Sequence, residues 1–180
     1  MIPTEEQAKA LWQKYQLPER KRKHVQLVAR IANYLANKVD QLGKFGTVDK
    51  KLLTAGALLH DIDKNIPRLP GEQHPDTAVR ILKEEGMEEV ANLVKTHSLH
   101  AILDPTIAPK TWEEKVLFLA DKMVKDDIIG VDKRFRLWNE EHLPADAQKI
   151  LDEAYPKVKA LEQEIFDLIG LVPEDLAKLA

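Results

Sequence analysis

The chain has no cysteine. That absence excludes disulfides, thiolate nucleophiles and sulfur-built zinc or iron–sulfur sites, so any metal held by the protein must use His, Asp or Glu. Aromatic residues make up only 6% of the sequence, too few for a platform on which a single strand could stack. Long apolar runs are missing as well, and none approaches the roughly 18 residues of a membrane span. The N-terminus, Met1 to Glu6, is acidic where a signal peptide would be basic and then apolar. The formal net charge is -3, from 27 basic and 30 acidic residues. Slight acidity disfavours non-specific nucleic-acid binding, which needs clustered cations; one such cluster exists, Arg20-Lys21-Arg22-Lys23. The expectation is a cytoplasmic protein with no membrane partner and with nucleic acid an improbable one. A chain of 180 residues suits one domain with its own core.

What is present is helical periodicity. Thr4 and Gln7 form a capping box that opens a helix to about Tyr15, and Pro18 ends it. Arg20 to Leu42 carries Val28, Ile31, Leu35 and Val39 at a spacing near 3.6, and Gly43 and Gly46 close it. Thr47 is the expected cap of a helix with Leu52, Ala55, Leu59 and Ile62 on one face. Residues 65–71, with two prolines and a glycine, read as a loop. Further helices are expected from about Pro75 to Gly86 and from about Glu88 to Ser98. A second capping box, Thr111 with Glu114, opens a helix to about Ile129. Val131 to Trp138 and Ala145 to Gly170 follow, the latter broken or kinked at Pro156, with a short helix or tail over 173–180. No stretch alternates long enough for a sheet. The expected fold is an all-α, bundle-like single domain over residues 1–180, its core about 20–138, with the C-terminal helices packed on it.

The six histidines are organised rather than scattered. His24 lies on the stripe of Val28, Ile31 and Leu35. His60 precedes Asp61 at the end of an apolar helix, His74 stands just before a helix, and His97 follows Val90, Leu93 and Val94 near a helix end. Asp121 shares an apolar face with Leu117 and Val124. A carboxylate on such a face is costly unless it is paired or bound to metal. A divalent ion would offset the desolvation of all these groups together; hydrogen-bonded core histidines and a capping or Arg-paired aspartate remain the alternative at this point.

The order His24, His60-Asp61, Asp121 resembles the signature of the HD-domain metal-dependent phosphohydrolases. The surrounding residues agree: Lys23-His24-Val25, Ala57-Leu-Leu-His-Asp-Ile-Asp-Lys64 and Phe118-Leu-Ala-Asp-Lys122. The resemblance covers about residues 20–138. Within the family, two further histidines between the His-Asp pair and the last Asp imply two ions, and His74 and His97 stand in those places. The pattern is most similar to small bacterial HD proteins that split diadenosine tetraphosphate symmetrically, with departures in Arg20 to Lys23 and in Gly130 to Arg136.

The resemblance implies ligands His24, His60, Asp61, His74, His97 and Asp121. Asp61 would bridge two ions, with His24, His60 and Asp121 completing one and His74 and His97 the other. An N/O donor set suits iron or manganese first, with cobalt, zinc, nickel or magnesium possible. The implied activity is hydrolysis of a phosphoester or phosphoanhydride of a nucleotide, with water activated at the ions. Developing phosphoryl charge calls for cations. Lys64 is the leading candidate and joins Asp61 as a catalytic residue; Arg20, Lys122, Arg134 and His100 are further substrate contacts. His142, in a polar loop, is set aside. The alternatives are a mono-metal nucleotidase, a non-catalytic nucleotide-binding regulator, a di-iron oxygenase and a purely structural helical protein. A homodimer is the base-rate expectation.

Overall fold

The computed structural model describes residues 1–180 as eight α-helices and two 3-10 helices. The helices are α1 (Glu5–Lys14), α2 (Glu19–Gln41), α3 (Lys50–Leu59), α4 (Asp76–Glu84), α5 (Glu88–Val94), α6 (Trp112–Lys122), α7 (Val131–Glu140) and α8 (Ala145–Ile169). The 3-10 helices cover Leu99–Leu103 and Pro173–Leu179. The fold is all-α; the one β-type pairing is an isolated bridge between Val124 and Ile128.

Helix α2 is the centre of the molecule. Its stripe Val25, Val28, Ile31, Ala32, Leu35 and Val39 is buried, and α3 and α6 pack against it. Burial of such a stripe, rather than propensity alone, stabilises a helix in water. Helix α1 is tied to α3 by the buried Trp12 indole, which donates to the Leu58 carbonyl at 2.8 Å. Helix α5 packs on α3 through Gly56, where an added Cβ would lie 2.5 Å from Cδ2 of Leu93. That close approach brings the ends of α3 and α5 together. Helix α8 covers α6, α7 and the first 3-10 helix.

Both capping boxes are present, at Thr4 with Gln7 and at Thr111 with Glu114. Four local expectations need correction. Asp49, not Thr47, caps α3, its carboxylate accepting from the Leu52 amide; an Asp cap also meets the positive end of the helix dipole. Helix α5 stops at Val94, short of Ser98. Helix α6 stops at Lys122 rather than near Ile129, because the Met123 carbonyl is taken by the amides of Ile129 and Gly130, which fold the chain back into a tight turn. Pro156 leaves α8 unbroken. Its missing N–H deprives only the carbonyl of Asp152, which is exposed, so water can take the place of the lost donor.

Candidate metal centre

The C-terminal ends of α3, α5 and α6 meet at the site. Past the end of α5, His97 turns inward and donates Nδ1–H to the Val94 carbonyl at 2.6 Å. At the end of α3, His60 does the same to Ala57 at 2.8 Å. Past the end of α6, the Lys125 carbonyl accepts from Nδ1 of His24 at 3.0 Å. A carbonyl can only accept, so the proton of each neutral ring sits on Nδ1 and the lone pair on Nε2. All three rings are buried.

Those lone pairs converge on carboxylates. Nε2 of His24 is 3.0 Å, and Nε2 of His60 is 3.2 Å, from the same Oδ1 of Asp121. Nε2 of His97 is 3.0 Å from Nε2 of His74. A lone pair facing a carboxylate oxygen, or a second nitrogen, is repulsive unless a proton or a cation lies between. Bonds of about 2.1 Å to a shared ion would set adjacent ligand atoms about 3 Å apart, which these separations match. Three overlapping sets each bring their donor atoms within 4.8 Å of one another: His24, His60 and Asp121; His60, Asp61 and His97; Asp61, Asp63 and His74. The donor set and its spacing therefore fit divalent metal, and every imidazole except that of His74 is fixed by a backbone carbonyl, the arrangement that orients ligating histidines.

The electrostatics point the same way. Burial drives the His97 ring well below the usual histidine range, helped by the neighbouring His60 and His74, so it stays neutral and available as a donor. His60 is also pushed down by burial, but Asp61 and Asp121 outweigh this and the net shift is upward. Burial alone would raise Asp61, yet His60, Lys64 and Lys21 hold it far below the usual carboxylate range. Asp121 is likewise depressed against its burial, by Lys122, His60 and the bonds from the histidines.

The six side chains expected as ligands thus lie in one connected cluster: His24, His60 and Asp121 form one set, His97 also lies with His60 and Asp61, His74 lies with Asp61 and Asp63, and His74 and His97 meet at Nε2. Lys64 stands at its edge, Nζ 3.5 Å from Oδ1 of Asp61 and 3.5 Å from Nδ1 of His74. Lys122 does not meet solvent. It is 2% exposed, donates to the His97 carbonyl and to Oδ2 of Asp121 at 2.6 Å each, and lies over the Phe118 ring. Expected as a substrate contact, it is instead buried against Asp121, a candidate ligand. Arg20 is engaged by Asp126 through both Nε and a terminal nitrogen. His100 is half-buried in the first 3-10 helix, with Ser98 its side-chain neighbour at 3.5 Å.

Two participants were missed from the sequence. Lys21 reaches Oδ2 of Asp61 at 3.1 Å; it was hidden in a basic run that reads as a solvated first turn, although it stands three residues before His24. Asp63 is buried, its Oδ2 3.5 Å from Nδ1 of His74 and its Oδ1 without any partner. The signal for it was a second carboxylate two residues after Asp61, in the turn that must lead the chain to His74.

The HD-domain profile matches residues 22–126, and the chain belongs to the HD-domain family. Membership marks it as a metal-dependent hydrolase in general terms, and the His/Asp cluster is compatible with divalent metal. Two archaeal relatives are both tRNA (cytidine(56)-2'-O)-methyltransferases. The protein of Thermoplasma volcanium is 29% identical over 181 residues, covering 94% of this chain and 49% of its own length. That of Picrophilus torridus is 25% identical over 189 residues, covering 98% of this chain and 50% of its own. The chain therefore spans about half the length of these relatives, whose named activity differs from diadenosine tetraphosphate hydrolysis. No solved structure matches. No helix is long and apolar enough to cross a membrane.

Proposed function

We propose that the chain is a phosphohydrolase that cleaves a phosphoester or phosphoanhydride bond of a nucleotide, using two divalent ions held by His24, His60, Asp61, His74, His97 and Asp121. The observation that carries this reading is the fixing of three imidazoles through Nδ1, which leaves their Nε2 atoms among shared carboxylates within the HD-domain frame. Bound there, such ions supply Lewis acidity toward phosphoryl oxygens and lower the pKa of water. Iron or manganese suits the N/O donors best.

The chain's own groups then have distinct tasks. Asp61 stays ionised, because its carboxyl is held so low, and this suits a ligand better than a proton store. Its two oxygens face different neighbours, Lys64 at Oδ1 and Lys21 at Oδ2. Those two ammonium groups flank the centre on either side of Asp61, where positive charge would favour an incoming phosphoryl group. Lys122 holds Oδ2 of Asp121 and leaves Oδ1 to the histidine side.

The likeness to halves of two tRNA methyltransferases favours a second form of the same chemistry, in which the phosphate is carried by an RNA. One experiment addresses both. The chain is incubated with manganese, iron or cobalt and a panel of mono-, di- and polyphosphorylated nucleotides and short RNAs bearing terminal phosphates, and released phosphate is measured. Metal-dependent turnover that Asp61→Asn abolishes, with helical content retained, is expected. No turnover under any metal, or full activity in Asp61→Asn, would contradict the proposal and favour a nucleotide-binding regulator.

A further inference from the structure

Beside His24 lies a cleft of about 220 Å³ whose other walls include Arg20, Lys21, Lys125, Arg134 and Trp138. Most of its cations are already occupied. Arg20 is paired with Asp126, and Lys21 with Asp61. Lys125 has Glu141 at 3.9 Å. Arg134 is different: it makes no ion pair and no side-chain hydrogen bond, and its Nε is buried without a partner.

This guanidinium is nevertheless held in place. Its Cζ lies 4.1 Å from the centroid of the Trp138 ring, one turn further along α7. The ring in turn meets Phe135 edge-on at 5.2 Å. Stacking uses the face of a guanidinium and leaves its in-plane N–H fork free, the geometry that takes a phosphate by two parallel hydrogen bonds. An orphaned buried donor is costly unless a ligand satisfies it. Burial pushes the Arg134 guanidinium down, against the pull of Asp121, Glu141, Asp61 and Asp126, and the cleft it lines also contains His24 of the candidate centre.

We propose that Arg134, backed by Trp138, binds a second phosphate of the substrate, next to the phosphate that is cleaved. This rests on the phosphohydrolase reading above and narrows it to substrates that carry at least two phosphates. The shared chemistry is a pair of neighbouring phosphates, whether in a phosphoanhydride or along an RNA end.

Inorganic pyrophosphate and orthophosphate, titrated calorimetrically into the manganese-loaded chain at constant free metal, test it. Pyrophosphate should bind about 10- to 100-fold more tightly than orthophosphate, the range expected of hydrogen bonds to a charged group. Arg134→Gln should erase most of that margin while orthophosphate affinity stays within about twofold. Arg134→Lys keeps the charge and the aliphatic stem, so it should fold even if the Gln variant does not, and it should lose part of the margin with the planar fork. ADP and a 3'-phosphorylated RNA dinucleotide are then used to displace pyrophosphate, and the better competitor identifies the source of the phosphates. Equal affinity for the two anions, an unchanged margin in both variants, or displacement by neither competitor overturns the assignment and leaves the metal centre standing. A manganese-loaded chain that binds neither anion overturns the phosphohydrolase reading itself, and the Arg134 assignment with it.

Discussion

His60 and His97 are held by the same device. Each donates Nδ1–H to the carbonyl three residues back, at the end of its own helix, and the two rings stand 4.8 Å apart. Helix ends leave carbonyls without intrahelical donors, and here two of those carbonyls orient imidazoles. His60 belongs both to the set that holds His24 and to the set that holds His97. We expect His97→Ala to lower bound manganese from about two ions per chain to about one. Elemental analysis after exhaustive dialysis measures this; unchanged content would remove His97 from the ligand set.

Lys122 is a buried cation with two partners, one of them the candidate ligand Asp121. Removing one member of a buried pair leaves the other charge uncompensated, at a cost of about 3–5 kcal/mol. Lys122→Met should destabilise the metal-free chain by that order. Added manganese should recover part of the loss, because a bound cation then compensates Asp121. Urea denaturation with and without metal provides the comparison, and equal losses in the two conditions would mean that Lys122 supports only the packing around Phe118.

Gly56 lets α3 and α5 approach. A Cβ there would meet Leu93 at 2.5 Å and Leu117 at 3.5 Å, so Gly56→Ala should cost about 1–3 kcal/mol through overpacking. Since α3 ends at His60 and α5 leads to His97, metal affinity should fall as well. A variant as stable as the parent, with the same affinity, would show that Leu93 moves aside freely.

Much of this arrangement could be read from residue order. The apolar stripe of α2 placed His24 on the core side, and the capping box at Thr111 fixed where α6 begins, hence the face on which Asp121 lies. Helix ends were harder, since they are set by partners distant in sequence. Nothing local shows that α6 must stop at Lys122 so that the Lys125 carbonyl can face His24, 101 residues away. Lys122 and Arg134 illustrate the same gap: one is expected as a substrate contact and is buried, and the free fork of the other becomes visible only once every neighbouring acid has been assigned a partner. Asp63 belongs with them, because only the folded turn shows that its Oδ1 is left unpaired.

Glu72 fastens the loop that precedes His74. It accepts from Arg80, Thr77 and the Leu69 amide. Chiefly through Arg80 and Thr77, its carboxyl is held down from 4.5 to about 2. A depressed carboxyl stabilises the fold above its unfolded pKa, and that contribution is lost as pH falls through the folded value. The difference in melting temperature between the parent and Glu72→Gln should be largest above pH 4.5 and should shrink as pH falls toward about 2. A difference independent of pH across that window would show that the charge of Glu72 is immaterial.

The central claim is that His24, His60, Asp61, His74, His97 and Asp121 together hold metal. Calorimetric titration of manganese into the metal-free chain, alongside Asp61→Asn, tests it most directly. Binding of about two ions per chain in the parent, with a clear loss of sites or affinity in Asp61→Asn at unchanged helical content, is the predicted result. Identical binding by parent and Asp61→Asn, or no stoichiometric binding by the parent, would contradict the account.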